Sequence, residues 1–181
     1  KKTYQNILSV IESILKNERE VKGLISETGE LYTQGPNDLF GLLSNTFDLV
    51  KENKNKCVYI EILVLFKESI KQYIIGIDTV LVNLNIIVDN KYLIAVANNS
   101  FNIINLLNNL IDEMKEMNVL TEEEINQNMQ NNKLMYTINK ISQYAISHFV
   151  SHFRTELGNE FNNIYFIDLN IEKVLVKTME I

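Results

Sequence analysis

The sequence predicts an all-α fold, an elongated antiparallel bundle of five or six long helices. Three observations lead there. Punctuation is scarce: the 181 residues hold six glycines and one proline, and between residues 42 and 157 Gly76 is the only one of either. An all-β domain needs a turn about every 8–12 residues, usually built from Gly, Pro, Asn or Asp. Apolar residues also recur every three or four positions over stretches longer than a strand. Finally, 46% apolar and 22% charged residues make an ordinary globular balance, and the single cysteine forbids an internal disulfide.

The first helix is expected from about Thr3 to Lys22, with Ile7, Val10, Ile11, Ile14, Leu15 and Val21 on one face and Gly23 as its stop. Residues 23–35 carry three glycines and read as a loop. Gly35-Pro36-Asn37-Asp38 then opens a helix running to about Glu52, because proline suits the first turn and an acid there complements the helix dipole. Its inner face is Leu39, Phe40, Leu43, Phe47 and Val50, and the polar run 51–56 breaks it.

Residues 57–88 are β-branched enough to suggest a buried strand. Their three-to-four spacing (Val58, Ile62, Leu65, Ile70, Tyr73, Ile77, Val80, Leu84) persists too long for one and predicts a long helix instead. Glu61, Lys67, Glu68, Lys71 and Asp78 keep it from being a membrane span. Gly76 inside it marks a bend or a close helix contact. The next helix, about Asp89 to Asn118, carries Leu93, Ala97, Phe101, Ile104, Leu107, Ile111, Met114 and Met117.

Residues 118–132 are rich in Asn and Gln and read as a loop, with Thr121-Glu122-Glu123-Glu124 as a capping box over a short turn. A fifth helix, about Lys133 to Phe161, turns Leu134, Ile138, Ile141, Ala145, Phe149, Phe153, Leu157 and Phe161 inward. A connection at 162–168 and a last segment capped by Asp168 or Asn170 complete the chain. The longest helices should span roughly 40–45 Å at 1.5 Å per residue. Residues 1–181 then form one bundle or two adjoining bundles of a longer rod, with a break near 118–132; both ends read as cut from a larger protein.

The net charge of −6 and pI near 5.0 argue against binding nucleic acid or anionic membrane through a general field. With 25 Asn and 24 Ile against 3 Ala, helices must be held by packing more than by propensity. No phosphate loop, Cys-x-x-Cys pair or nucleophile elbow occurs, so no catalytic residue and no cofactor is predicted. His148, His152 and Glu156 form one helical row, a weak candidate for metal ligation and for a metal-dependent hydrolase. Cys57 reads as a buried structural thiol. Asn98-Asn99, inside an apolar helix, suits a hydrogen bond across the bundle that sets register, and Phe149, Phe153 and Phe161 read as core.

Three stretches carry a family resemblance. Positions 32–43, YTQGPNDLFGLL, resemble a helix start in the third component of the exocyst. Positions 92–101, YLIAVANNSF, resemble that family's Tyr-x-Ile-Ala-x-x-Asn-Asn helix, and positions 144–181 its closing helices. Asn-rich 118–132, and Tyr165-Phe166 where that family often has Trp, are departures.

The resemblance implies a non-enzymatic helical-rod subunit that tethers secretory vesicles to the plasma membrane before SNARE-driven fusion. It implies other tethering-complex subunits as partners, with SNAREs or a small GTPase as further ones, and a cytoplasmic, peripheral location at sites of exocytosis. Tyr32, Pro36, Asp38, Leu39 and Phe40 carry over as a helix start, and Tyr92, Ala95, Asn98 and Asn99 as an internal helix contact. The alternatives are a Munc-type SNARE-assembly module, which shares the rod fold, and a generic helical scaffold.

Overall fold

A computed structural model describes residues 2–19, 25–26, 31–83 and 90–179. Among them are six helices: α1 (Lys2–Arg19), α2 (Gly35–Asp48), α3 (Lys56–Asn83), α4 (Asn90–Glu116), α5 (Glu122–Met129) and α6 (Asn131–Met179). The fold is all-α apart from two short strands, β1 (Ile25–Ser26) and β2 (Leu31–Tyr32), paired antiparallel with Ile25 opposite Tyr32. These strands lie where the sequence predicts a loop. The stop at Gly23, and Val21 and Leu84 in the predicted apolar faces, lie outside the described residues.

The chain divides into two compact units, Lys1–Ile146 and Ser147–Ile181. In the first, α3 packs on α1, α2 and α5, while α4 packs on α2, α5 and β2. Ile138 and Ile141 of α6 face Tyr73 and Ile77 of α3 and Val96 and Ile103 of α4 around a cavity of about 20 Å³. Of the inner face predicted for α2, Leu39, Phe40, Leu43 and Phe47 are buried, while α2 ends at Asp48 and leaves Val50 beyond it, half-buried; Leu134, Ile138, Ile141 and Ala145 of α6 are buried as predicted. Gly76 marks a close contact: a Cβ there would run into the side chain of Leu15 on α1.

Several junctions are built from local side-chain chemistry. Asn55 accepts a hydrogen bond from the Cys57 N–H at 2.9 Å and so caps the start of α3. Tyr59 donates to the Lys51 carbonyl at 2.7 Å and meets Phe47 edge-on, with ring centroids 5.8 Å apart, which seats α3 against the end of α2. The predicted capping box is present, Thr121 accepting from Glu124 N–H while Glu124 accepts from Thr121 N–H. It opens a two-turn helix, α5, in place of the expected loop. Gln130, at φ 48°, ends α5 in the left-handed region and admits α6 one residue later.

Other expectations fail for packing reasons. In the first half of α3 the buried positions are Tyr59, Leu63 and Phe66, one residue beyond the predicted Val58, Ile62 and Leu65, whereas Ile70, Tyr73, Ile77 and Val80 are buried as predicted. In α4 Leu93, Leu107, Ile111 and Met114 are buried as predicted, but Phe101 is 66% exposed, and Asn99, Ser100 and Ile103 take the inner face in its place. The helix is turned so that two polar residues reach partners. The predicted connection at 162–168 does not exist: α6 runs through Asp168 and Asn170, so neither is a cap. Cys57 is exposed, because it sits in the first turn of α3.

Candidate functional site

The buried polar centre of Lys1–Ile146 begins with Glu18 on α1. The α1 periodicity that buries Ile7, Ile11, Ile14 and Leu15 also turns Glu18 inward, leaving it 2% exposed. Thr33, just after β2, donates from Oγ1 to Glu18 Oε1 at 2.5 Å, and the Tyr73 hydroxyl of α3 donates to the same oxygen at 2.9 Å. Asn99 of α4 closes the cluster. Its Nδ2 donates to Thr33 Oγ1 at 2.5 Å, and its Oδ1 accepts from the Thr33 N–H at 3.1 Å.

Gly35 opens α2 against this carboxylate. A Cβ at that position would collide with Glu18 Oε1 and crowd the Tyr73 hydroxyl, so only glycine lets the backbone come so near. Glu18 Oε2 and the Tyr92 hydroxyl are buried without a hydrogen-bond partner. Burial pushes the Glu18 carboxyl above the usual carboxylate range, and the Thr33 and Tyr73 donors only partly oppose it. Burial, then the Glu18 charge, likewise raises the Tyr73 and Tyr92 hydroxyls.

Two of the stretches singled out in the sequence meet here. Asn98 donates to the Leu31 carbonyl at 2.9 Å, and Asn102 donates to Asn37 at 3.2 Å. With the Asn99–Thr33 pair, these bonds bind the 31–37 segment along α4. The asparagines therefore hold the segment leading into α2, where a bond between two long helices was expected. Tyr92 and Ala95 are buried on the same helix, as are Pro36, Leu39 and Phe40 at the start of α2. Tyr32 is half-buried in β2, while Asp38 lies exposed in the first turn of α2, accepting from Gln34 at 3.3 Å.

Sequence reasoning missed Glu18, Thr33 and Tyr73. Glu18 has one legible signal: it stands seven residues after Ile11 and four after Ile14, in the apolar register. Tyr73 is legible only as a buried position of the α3 stripe, and Thr33 not at all, because the Tyr73–Glu18 and Thr33–Asn99 bonds join residues 55 or more apart.

The Ser147–Ile181 unit differs in kind. Phe149 and Phe153 stack at 6.0 Å with their planes 15° apart, and Val150, Phe153 and Leu157 are exposed; Phe153 is 48% accessible. Phe153 and Leu157 are thus not core residues, and Phe161 lies outside the described side chains. His152 Nδ1 approaches Glu156 Oε1 at 3.5 Å, and both are exposed, as is His148. Among the described residues no three His, Cys, Asp or Glu side chains converge as a metal site would require. No described helix is long and apolar enough to cross a membrane. In the first unit, Lys56 of α3 pairs with Glu124 of α5 and, with the Thr121 N–H, holds that carboxyl below its usual range. No family model, curated protein or solved structure matches the chain.

Proposed function

We propose that this chain is a helical interaction module that acts through protein–protein contact. The observation that carries this reading is the row Val150, Phe153 and Leu157 on α6. Spaced three and four residues apart, the three form one apolar seam, and a helix that leaves such a seam in water is suited to packing against another helix. The finer role is that of an exocyst-like tethering subunit working with other tethering subunits and with SNAREs or a small GTPase at the plasma membrane. It rests on the resemblance of positions 32–43, 92–101 and 144–181.

Affinity purification of the full-length protein from its own cells, beside a Phe153→Ser/Leu157→Ser variant, tests both levels. The wild type should bring down a fixed stoichiometric set of partners, and the variant should lose at least one while keeping its circular dichroism. Recovery of the same set with both proteins would show that the seam holds none of them. Unchanged secretion after depletion of the protein would remove the tethering role.

A further inference from the structure

Within Lys1–Ile146 a groove of about 140 Å³ lies between α3 and the first turns of α6. Ile74 and Leu134, both buried, form its floor, and Ile75 stands half-exposed at its lip. Lys67, Lys71 and Lys133 line its rim together with Glu68. Glu68 lies 4.0 Å from Lys67 and 3.7 Å from Lys71, so a single carboxylate is shared between two ammonium groups. The rim therefore keeps a positive excess, in a chain whose net charge is −6.

The apolar character continues past the groove. Val64, Lys71, Ile75 and Val82 succeed one another at intervals of seven, four and seven residues, which returns each to nearly the same angle around α3. All four are exposed. On α6, Lys140 repeats Lys133 two turns later; on α3, Glu61 and Asp78 are exposed acids on the same face, one on either side of the 67–75 stretch that lines the groove.

We propose that this groove docks an acidic amphipathic helix of a partner protein. This rests on the reading of the chain as an interaction module and names one surface and one partner chemistry for it. An aliphatic side chain of the partner enters between Ile74 and Leu134, and its next aliphatic residues run along Ile75 and Val82. Carboxylates flanking that stripe meet Lys67, Lys71 and Lys133. The apolar floor supplies the affinity, and the basic rim in an acidic chain supplies the orientation and excludes basic helices.

A helical-peptide display library selected on the whole chain is the direct test. Enriched peptides should share aliphatic residues at three-to-four spacing flanked by Asp or Glu. Their affinity should fall about tenfold for Lys71→Glu/Lys133→Glu, and peptides with Lys in place of those acids should recover it on that variant. Ile75→Ser should weaken binding without altering the charge preference. Both lysines and Ile75 are exposed, so an unchanged melting curve shows that the fold is intact. Enrichment of uncharged or basic peptides, no enrichment, or indifference to the charge reversal overturns the proposal. So does self-association through the groove, or binding of phosphatidylserine vesicles that the charge reversal abolishes. Failure of the groove with retained Phe153/Leu157-dependent partners would leave the interaction-module reading standing.

Discussion

Glu18 on α1 and Phe153 on α6 stand in opposite environments to those their hydropathy suggests. The acid is 2% exposed, among two tyrosines, a threonine and an asparagine; the phenyl ring is 48% exposed, on a helix face whose only described ring neighbour is Phe149. The difference lies in what each helix is packed against. Around Glu18, α1, α3, α4 and the segment before α2 converge, and hydrogen-bond donors reach the carboxylate from more than one of them. Burial there is offset by polar partners, yet it leaves two orphaned atoms, Glu18 Oε2 and the Tyr92 hydroxyl. Along 149–157, Val150, Phe153 and Leu157 are exposed, and the Phe149–Phe153 stack joins two residues of one helix and not two elements.

The contrast can be broken first in the core. Leu63→Ala, at a position with no exposure, should cost about 2–5 kcal/mol of stability, whereas Phe153→Ala should stay within about 0.5 kcal/mol. Paired denaturant titrations measure both, and equal losses would mean that Phe153 is covered in solution.

A smaller effect is expected at the polar cluster. Asn99→Ala strips the Thr33 N–H of its acceptor and the Thr33 hydroxyl of one donor, leaving that hydroxyl bonded to Glu18, and should cost about 1–3 kcal/mol. Hydrogen exchange should show the loss concentrated at residues 31–37, since the Asn98–Leu31 and Asn102–Asn37 bonds hold only part of that segment. A uniform loss across all helices would argue against a local pin.

The smallest change sharpens the comparison through pH. The fold raises the Glu18 carboxyl above its ordinary value of 4.5, so the folded state holds that proton more tightly than the unfolded chain does. The stability that this group contributes is complete below the unfolded value and declines as pH rises through the folded one. Glu18→Gln should remove that decline. The variant's stability relative to wild type should therefore improve from acid to neutral pH, and a difference that stays flat would show that Glu18 is not buried as an acid.

Much of this architecture is legible in the sequence. Leu39, Phe40, Leu43 and Phe47 announce the inner face of α2, and Pro36 its start; Thr121 and Glu124 announce the start of α5. Leu134 through Ala145 read in the correct register as well. Errors came where apolar residues lie on more than one face. In the first half of α3 the predicted stripe was one residue out, because Val58, Ile62 and Leu65 alternate with Tyr59, Leu63 and Phe66 and periodicity alone cannot rank two adjacent apolar rows. In α4 it favoured Phe101 over Asn99, since nothing local reveals that an asparagine will find Thr33.

The sequence by itself determined that this chain is helical and where most helices begin. Those properties depend on neighbours within a few residues: sparse Gly and Pro, three-to-four apolar spacing, and caps that bond backbone groups one turn away. Only the tertiary structure decided between the adjacent apolar rows of α3, put Asn99 and not Phe101 inside, showed that Gly35 stands at a close approach and that Gly76 marks a contact and not a bend, and placed an acid at the centre of the fold. These are outcomes of contacts between residues far apart in the chain, where hydrogen-bond partners and packing outweigh the hydropathy of any single side chain.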